Sequence, residues 1–144
     1  MAYVKNWLHC VWGTKCRFPF LTKEHKRIII NHIKSNVATK GIHIDSINGY
    51  LDHMHCLLSL NPDQSLAKVM QLIKGESSFW INRNLAMSKK FEWADEYYAI
   101  SISESHLSRV RAYIINQETH HLKNKWKQEY EMLFEEIGFD TNEG

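Results

Sequence analysis

The stretch GYLDHMHC, residues 49–56, constrains this chain more than any other. The segments around it, IHIDSINGY (42–50) and HMHCLLSL (53–60), are dense in strand-forming residues. Leu51 and Asp52 leave room between them only for a tight turn, so the two strands must run back to back. Helical spacing lies on either side. Thr22 can cap a helix running to about Lys40, with Ile29, Ile30, Ile33 and Val37 on one face and Gly41 as its stop. A second helix spans about Ser65 to Asn82, with Leu66, Val69, Met70, Ile73 and Trp80 on its apolar side.

Two further strands frame this unit, VKNWLHCVWGTK (4–15) before it and YYAISIS (97–103) after it. Ser103 or Ser105 can cap a third helix carrying Val110, Tyr113, Ile114 and Gln117. A last helix over about 125–137 aligns Trp126, Tyr130, Leu133, Phe134 and Ile137 as a packing stripe. The order predicts an α+β, ferredoxin-like (RRM-like) βαββαβ sandwich. In it a four-stranded antiparallel sheet carries helices on one face and is followed by C-terminal helices. Such a sheet keeps its other face open for a ligand. No repeat, low-complexity tract or linker divides residues 1–144, so one domain is expected.

The net charge of +2 conceals an asymmetry. Residues 1–43 hold eight Lys/Arg against one acid, Glu24, whereas residues 91–144 hold eleven acids against five bases. A basic half suits a polyanion such as nucleic acid, although a solvated helix face has the same composition. No apolar run is long enough for a membrane span, and the N-terminus is not laid out as a signal peptide. Cys10, Cys16 and Cys56 form no CxxC pair and point to a reducing, cytoplasmic setting.

Side chains alternate along a strand, so His53 and His55 share one face while Met54, Cys56 and Leu58 face the helices. Paired imidazoles at this spacing suit one metal ion, and Asp52 can orient one ring. An amphipathic strand with a polar open face would carry the same letters. Cys56 points away, which argues against a thiolate zinc site. In RAYIINQETHH (111–121), Tyr113 and Gln117 are one helical turn apart, with His120 close to the same stripe. A phenol can act as nucleophile and an amide carbonyl can complete a coordination sphere. A packed tyrosine on an amphipathic helix is the alternative.

HMH followed by YIINQ resembles the single-tyrosine transposases of the His-hydrophobic-His (HUH) superfamily, the insertion-sequence 200/605 class. HCVWGTKCR near the start, GYLDHMHCLLSL, KGESSFW and NQETHH extend the resemblance over about residues 8–130. It implies an enzyme that cuts and rejoins single-stranded DNA at the ends of a mobile element, using Mg2+ or Mn2+ and no ATP. It further implies Tyr113 as nucleophile and His53, His55 and Gln117 as metal ligands. Folded hairpins near the element ends would be recognised, and in a homodimer the tyrosine helix could complete the neighbour's site. Two imidazoles lean by themselves to manganese; phosphate and water oxygens would make magnesium acceptable.

Lys15, Arg17, Lys74 and Arg83 are candidate phosphate contacts by charge and by nearness to the family-like segments. Phe79, Trp80 and Trp93 could stack on bases, with buried packing the simpler fate. His9 reads as a core or edge histidine. His120 could neighbour the metal or lie on a helix surface. Two alternative functions stay open, a domesticated single-strand endonuclease or strand transferase acting on genomic repeats, and a non-catalytic nucleic-acid-binding module.

Overall fold

A computed structural model describes residues 3–117. The expected last helix (125–137) and His120 lie outside the described residues. Four strands, β1 (Trp7–Gly13), β2 (His43–Tyr50), β3 (His53–Ser59) and β4 (Tyr98–Ile102), alternate with α1 (Lys23–Ala38) and α2 (Leu66–Asn84). A short 3-10 turn, Glu104–His106, then leads into α3 (Leu107–Ile115). The sheet order is β2-β3-β1-β4, and every neighbouring pair is antiparallel. This is the expected ferredoxin-like arrangement. Each helical crossover skips one strand position, which brings β1 and β3 together at the centre.

Local chemistry sets the boundaries. Thr22 accepts a hydrogen bond from the His25 amide at 3.3 Å to cap α1, and Ser65 accepts from the Lys68 amide at 3.2 Å to cap α2. Gly41, at φ +66°, takes the left-handed conformation that ends α1. At Gly49 the limit is space: a Cβ would meet the His53 carbonyl oxygen at 2.3 Å and the Met54 sulfur at 2.7 Å. The hairpin can close this tightly only on a glycine.

The main core lies between the sheet and α1/α2. Cys10 and Trp12 of β1 join Met54, Cys56 and Leu58 of β3, against Ile29, Ile33, Val37, Val69, Met70, Ile73 and Ile81. Cys10 and Cys56 are direct cross-strand partners here, away from the histidines as the alternation required. Burial pushes the Cys10 thiol up to about 12 and the Cys56 thiol well above its ordinary range, so both are inert packing groups.

The second face departs from the expectation of an open surface. Leu57, Ile100 and Ile102 make it apolar, and Val110 and Ile114 of α3 cover it as a second cluster. An exposed apolar sheet face would be costly, and α3 supplies the missing layer. His53 and His55 on this face are fully buried, His55 against Tyr113 of α3.

A candidate histidine–tyrosine active site

β3 is regular, so His53, His55 and Leu57 point together toward α3. Trp7, His9 and Val11 of β1 share that side, because Val11 pairs with His55 and His9 with Leu57. His9 is thereby a diagonal neighbour of His55, within side-chain reach. β2 is less regular. Its pairing shifts between Ile44 and Ser46, leaving Asp45 as one extra residue, a β-bulge. The bulge lets Ile44 and Ile47 both serve the main core side while Asp45 reaches α3.

Three hydrogen bonds orient the imidazoles. His53 Nδ1 lies 2.9 Å from Asp52 Oδ1, and Arg17 Nε donates to Asp52 Oδ2 at 3.1 Å. An ionised carboxylate only accepts, so His53 Nδ1 carries a proton, and in the neutral ring the lone pair sits on Nε2. Burial opposes ionisation of Asp52, but the hydrogen bond from His53 and the Arg17 charge outweigh it, and its carboxyl lies below the ordinary range. His55 Nδ1 lies 2.9 Å from His9 Nε2, in a bond buried from water. Both ligand candidates thus use Nδ1 for the protein, and Nε2 is the nitrogen that could face a cation.

α3 brings the second half. Arg111 grips Asp45 bidentately, Nε to Oδ1 at 2.8 Å and Nη2 to Oδ2 at 2.9 Å. That hydrogen bond holds the Asp45 carboxyl below its usual range despite partial burial. The Asn48 side-chain amide donates to the Ile115 carbonyl at 2.8 Å, fixing the helix end over β2. Between these ties Tyr113 sets its ring 5.6 Å from that of His55 and 6.2 Å from that of His9, edge to face. The tyrosine and the histidine pair belong to the same chain, on a helix packed against its own sheet.

Regular α3 ends at Ile115, with Asn116 as its cap, so Gln117 lies just past the helix end. Its side-chain amide nitrogen donates to the Tyr113 carbonyl at 3.2 Å. This turns the amide oxygen the other way, where it is buried with no hydrogen-bond partner among the described residues. A buried acceptor in that state is unfavourable unless a ligand or cation meets it. Among the described residues no group of three His, Cys, Asp or Glu could hold a metal ion. For a metal held by the two imidazoles, the Gln117 amide oxygen is the further protein donor that the sequence resemblance implies. Two imidazole nitrogens with one such carbonyl fit a divalent cation that keeps further sites for phosphate or water.

The basic candidates are dispersed. Arg17 joins the Asp52–His53 chain from a turn with unusual backbone: Cys16 and Arg17 lie at φ 57° and 58°, a left-handed pair of non-glycine residues. Lys15 sits 3.4 Å from Glu92. Lys74 donates to the carbonyls of Ala94, Asp95 and Glu96 at 2.7, 3.0 and 3.3 Å, tying α2 to the segment before β4. Arg83 lies 5.3 Å from the centre of the exposed Phe79 ring, at the far end of α2. Trp93 is buried and donates to Ser77 at 2.9 Å, while Trp80 stacks on His32 at 4.0 Å. His9, read from sequence as a core or edge residue, is buried but belongs to the site. Its alternation with Val11 was visible, yet the diagonal to His55 needed the β1–β3 register.

Fold and site together define an α+β protein in which a buried histidine pair faces a half-buried tyrosine of the covering helix. The model of the family described as "Transposase IS200 like" matches residues 2–117, and the chain belongs to that family of DNA-processing enzymes. It is 24% identical over 114 residues to the ISDra2 transposase TnpA of Deinococcus radiodurans, covering 76% of this chain and 81% of the relative. A crystal structure from D. radiodurans R1, assigned as a transposase, superposes with TM-score 0.65 at 22% identity, covering 81% of this chain and 95% of that one. The REP-associated tyrosine transposase bound to a REP hairpin gives 0.63 at 17%, covering 84% and 72%. At these identities the two structures speak for the fold.

Among the described residues, no helix is long and apolar enough to cross a membrane.

Proposed function

We propose that this chain cleaves and rejoins single-stranded DNA by transesterification, with Tyr113 as nucleophile and His53, His55 and Gln117 holding a divalent cation, Mg2+ or Mn2+. The observation that carries this reading is the placement of the Tyr113 ring 5.6 Å from His55, above imidazoles whose Nδ1 atoms are already engaged by Asp52 and His9. When bound, the cation would withdraw charge from a non-bridging phosphate oxygen as phosphorus is attacked. The Tyr113 phenol gives up its proton and its oxygen forms the new bond to phosphorus. The bond to the 3′ oxygen breaks, leaving a free 3′-hydroxyl and a 5′-phosphotyrosine link. A 3′-hydroxyl of another strand reverses the step. Because a phenol has a reference pKa of about 10, phenolate departs more readily than an alkoxide, so the link's energy is kept for joining without ATP.

The one-chain geometry favours a site completed in cis, with dimerisation serving to bring two DNA ends together. The likeness in fold to a hairpin-bound tyrosine transposase supports a hairpin-bearing substrate. A non-catalytic binding module is disfavoured, since α3 covers the sheet face on which such modules stack bases. A domesticated role on genomic repeats shares all of this chemistry and differs only in the DNA that is cut.

The test is incubation with single-stranded DNA from the flanks of the protein's own gene, with Mn2+. A denaturation-resistant adduct mapped to Tyr113 by mass spectrometry is expected, absent in Tyr113→Phe while DNA binding persists. Adduct formation by Tyr113→Phe would remove the proposed nucleophile.

A further inference from the structure

His9 is fully buried in β1, with Nε2 2.9 Å from Nδ1 of His55. A leucine would fill that place without having to satisfy polar atoms, so an imidazole there calls for a reason. A hydrogen bond between two ring nitrogens has one proton and two possible owners. If His9 Nε2 donates, His55 is left protonated on Nε2 and unable to ligate through it. If His55 Nδ1 donates, its Nε2 carries the lone pair that a cation requires.

We infer that His9 is a positioning residue: its Nε2 accepts from His55 Nδ1 and thereby holds His55 in the ligand-competent tautomer. Asp52 performs the matching task for His53, where a carboxylate makes the outcome obligatory. The two rings, at 74° to each other with centroids 5.1 Å apart, are thus oriented by separate partners from separate elements, the hairpin turn and β1. His9 does not serve as a third ligand through Nε2, since that lone pair is directed at His55. The inference rests on the proposed metal role of His55, but its first test does not.

Long-range 15N–1H NMR of the metal-free wild-type protein reads the proton position directly. The expected result is His55 protonated on Nδ1; protonation on Nε2 overturns the inference. The second test is Mn2+ affinity by calorimetry on His9→Leu and His9→Gln, the latter placing an amide carbonyl near the position of Nε2. His9→Leu leaves the buried His55 N–H without its acceptor, so its melting temperature is expected to fall, and the affinity of its folded form to drop about 10–100-fold, the usual effect of removing a ligand's orienting partner. His9→Gln is expected to recover most of that loss. Wild-type affinity in His9→Leu would also overturn the inference. Should the wild type bind no Mn2+, the functional proposal fails, and the His55 proton position still decides the role of His9.

Discussion

Ile114→Ala separates the two cores of this protein and tests whether α3 must be docked for chemistry. Ile114 has no solvent exposure and sits with Val110 on the second sheet face. The substitution deletes three carbons, about 2.4 kcal/mol of transfer energy at ~0.8 kcal/mol per buried methylene. The unfilled cavity brings the expected loss to about 3–4 kcal/mol. α3 has nine residues, and isolated helices below about 12–15 residues are marginal in water, so its order depends on docking. With Ile114 truncated, the remaining anchors include Val110, the partly buried Leu107 and Tyr113, the Asp45–Arg111 pair and the Asn48 bond to Ile115. The helix should then open at lower energy than the rest of the domain. Ile73→Ala, the same deletion at 2% exposure in the α1/α2 core, is the control. Both variants should lose similar stability in urea melts. Hydrogen exchange should accelerate selectively in α3 only for Ile114→Ala, and adduct yield per folded molecule should fall only there. Equal adduct yields in the two variants, or an α3 exchange pattern unchanged from wild type, would refute the dependence of the site on this docking.

Gln117→Met replaces a buried amide by an apolar chain of similar size. Stability by thermal melt should change little, because the amide oxygen has no hydrogen-bond partner among the described residues, while Mn2+ affinity and adduct yield should fall at least tenfold by the order of a lost ligand, about 1.4 kcal/mol. Lys74→Met should destabilise by about 1 kcal/mol through loss of its carbonyl bonds, and leave the salt dependence of DNA binding unchanged, since its ammonium is turned to residues 94–96. Asp45→Asn tests linkage. The lowered folded-state pKa of Asp45 contributes stability that is present above the unfolded value near 3.8 and lost as pH falls through the lower folded value. Urea midpoints of wild type and Asp45→Asn should therefore differ most near neutrality and converge in strong acid.

Much of the scaffold was legible because each element advertised itself locally. The Leu51–Asp52 turn, the Thr22 cap, the start of the second helix near Ser65, and the alternation that separates His53 and His55 from Met54 and Cys56 all depend on residues a few positions apart. What escaped depends on pairing between distant segments. One extra residue in β2 breaks the two-residue period, and in HIDSINGY that looks merely like imperfect alternation. The apolar stripe of α3 was visible, but whether it would cover the sheet's second face depends on the route taken after β4. Lys74 read as a phosphate contact by charge, and nothing near it in sequence announces the carbonyls of residues 94–96. His9 had a structural explanation until the β1–β3 register set it against His55.

The bulge shows how a small backbone irregularity can tie the two halves of the candidate site together. The proposed ligands His53 and His55 come from β3, which pairs with both β1 and β2, whereas the tyrosine comes from a helix too short to hold its own position. Something must register one against the other. Without the bulge, alternation counted from Ile44 would turn Ile47 out of the main core, and alternation counted back from Ile47 would turn Asp45 into it. The extra residue keeps both isoleucines inside and presents Asp45 to Arg111, two residues before Tyr113. A bidentate pair fixes orientation as well as distance. The irregularity in β2 therefore helps to seat α3, and with it Tyr113, over the histidine face, which the proposed chemistry requires.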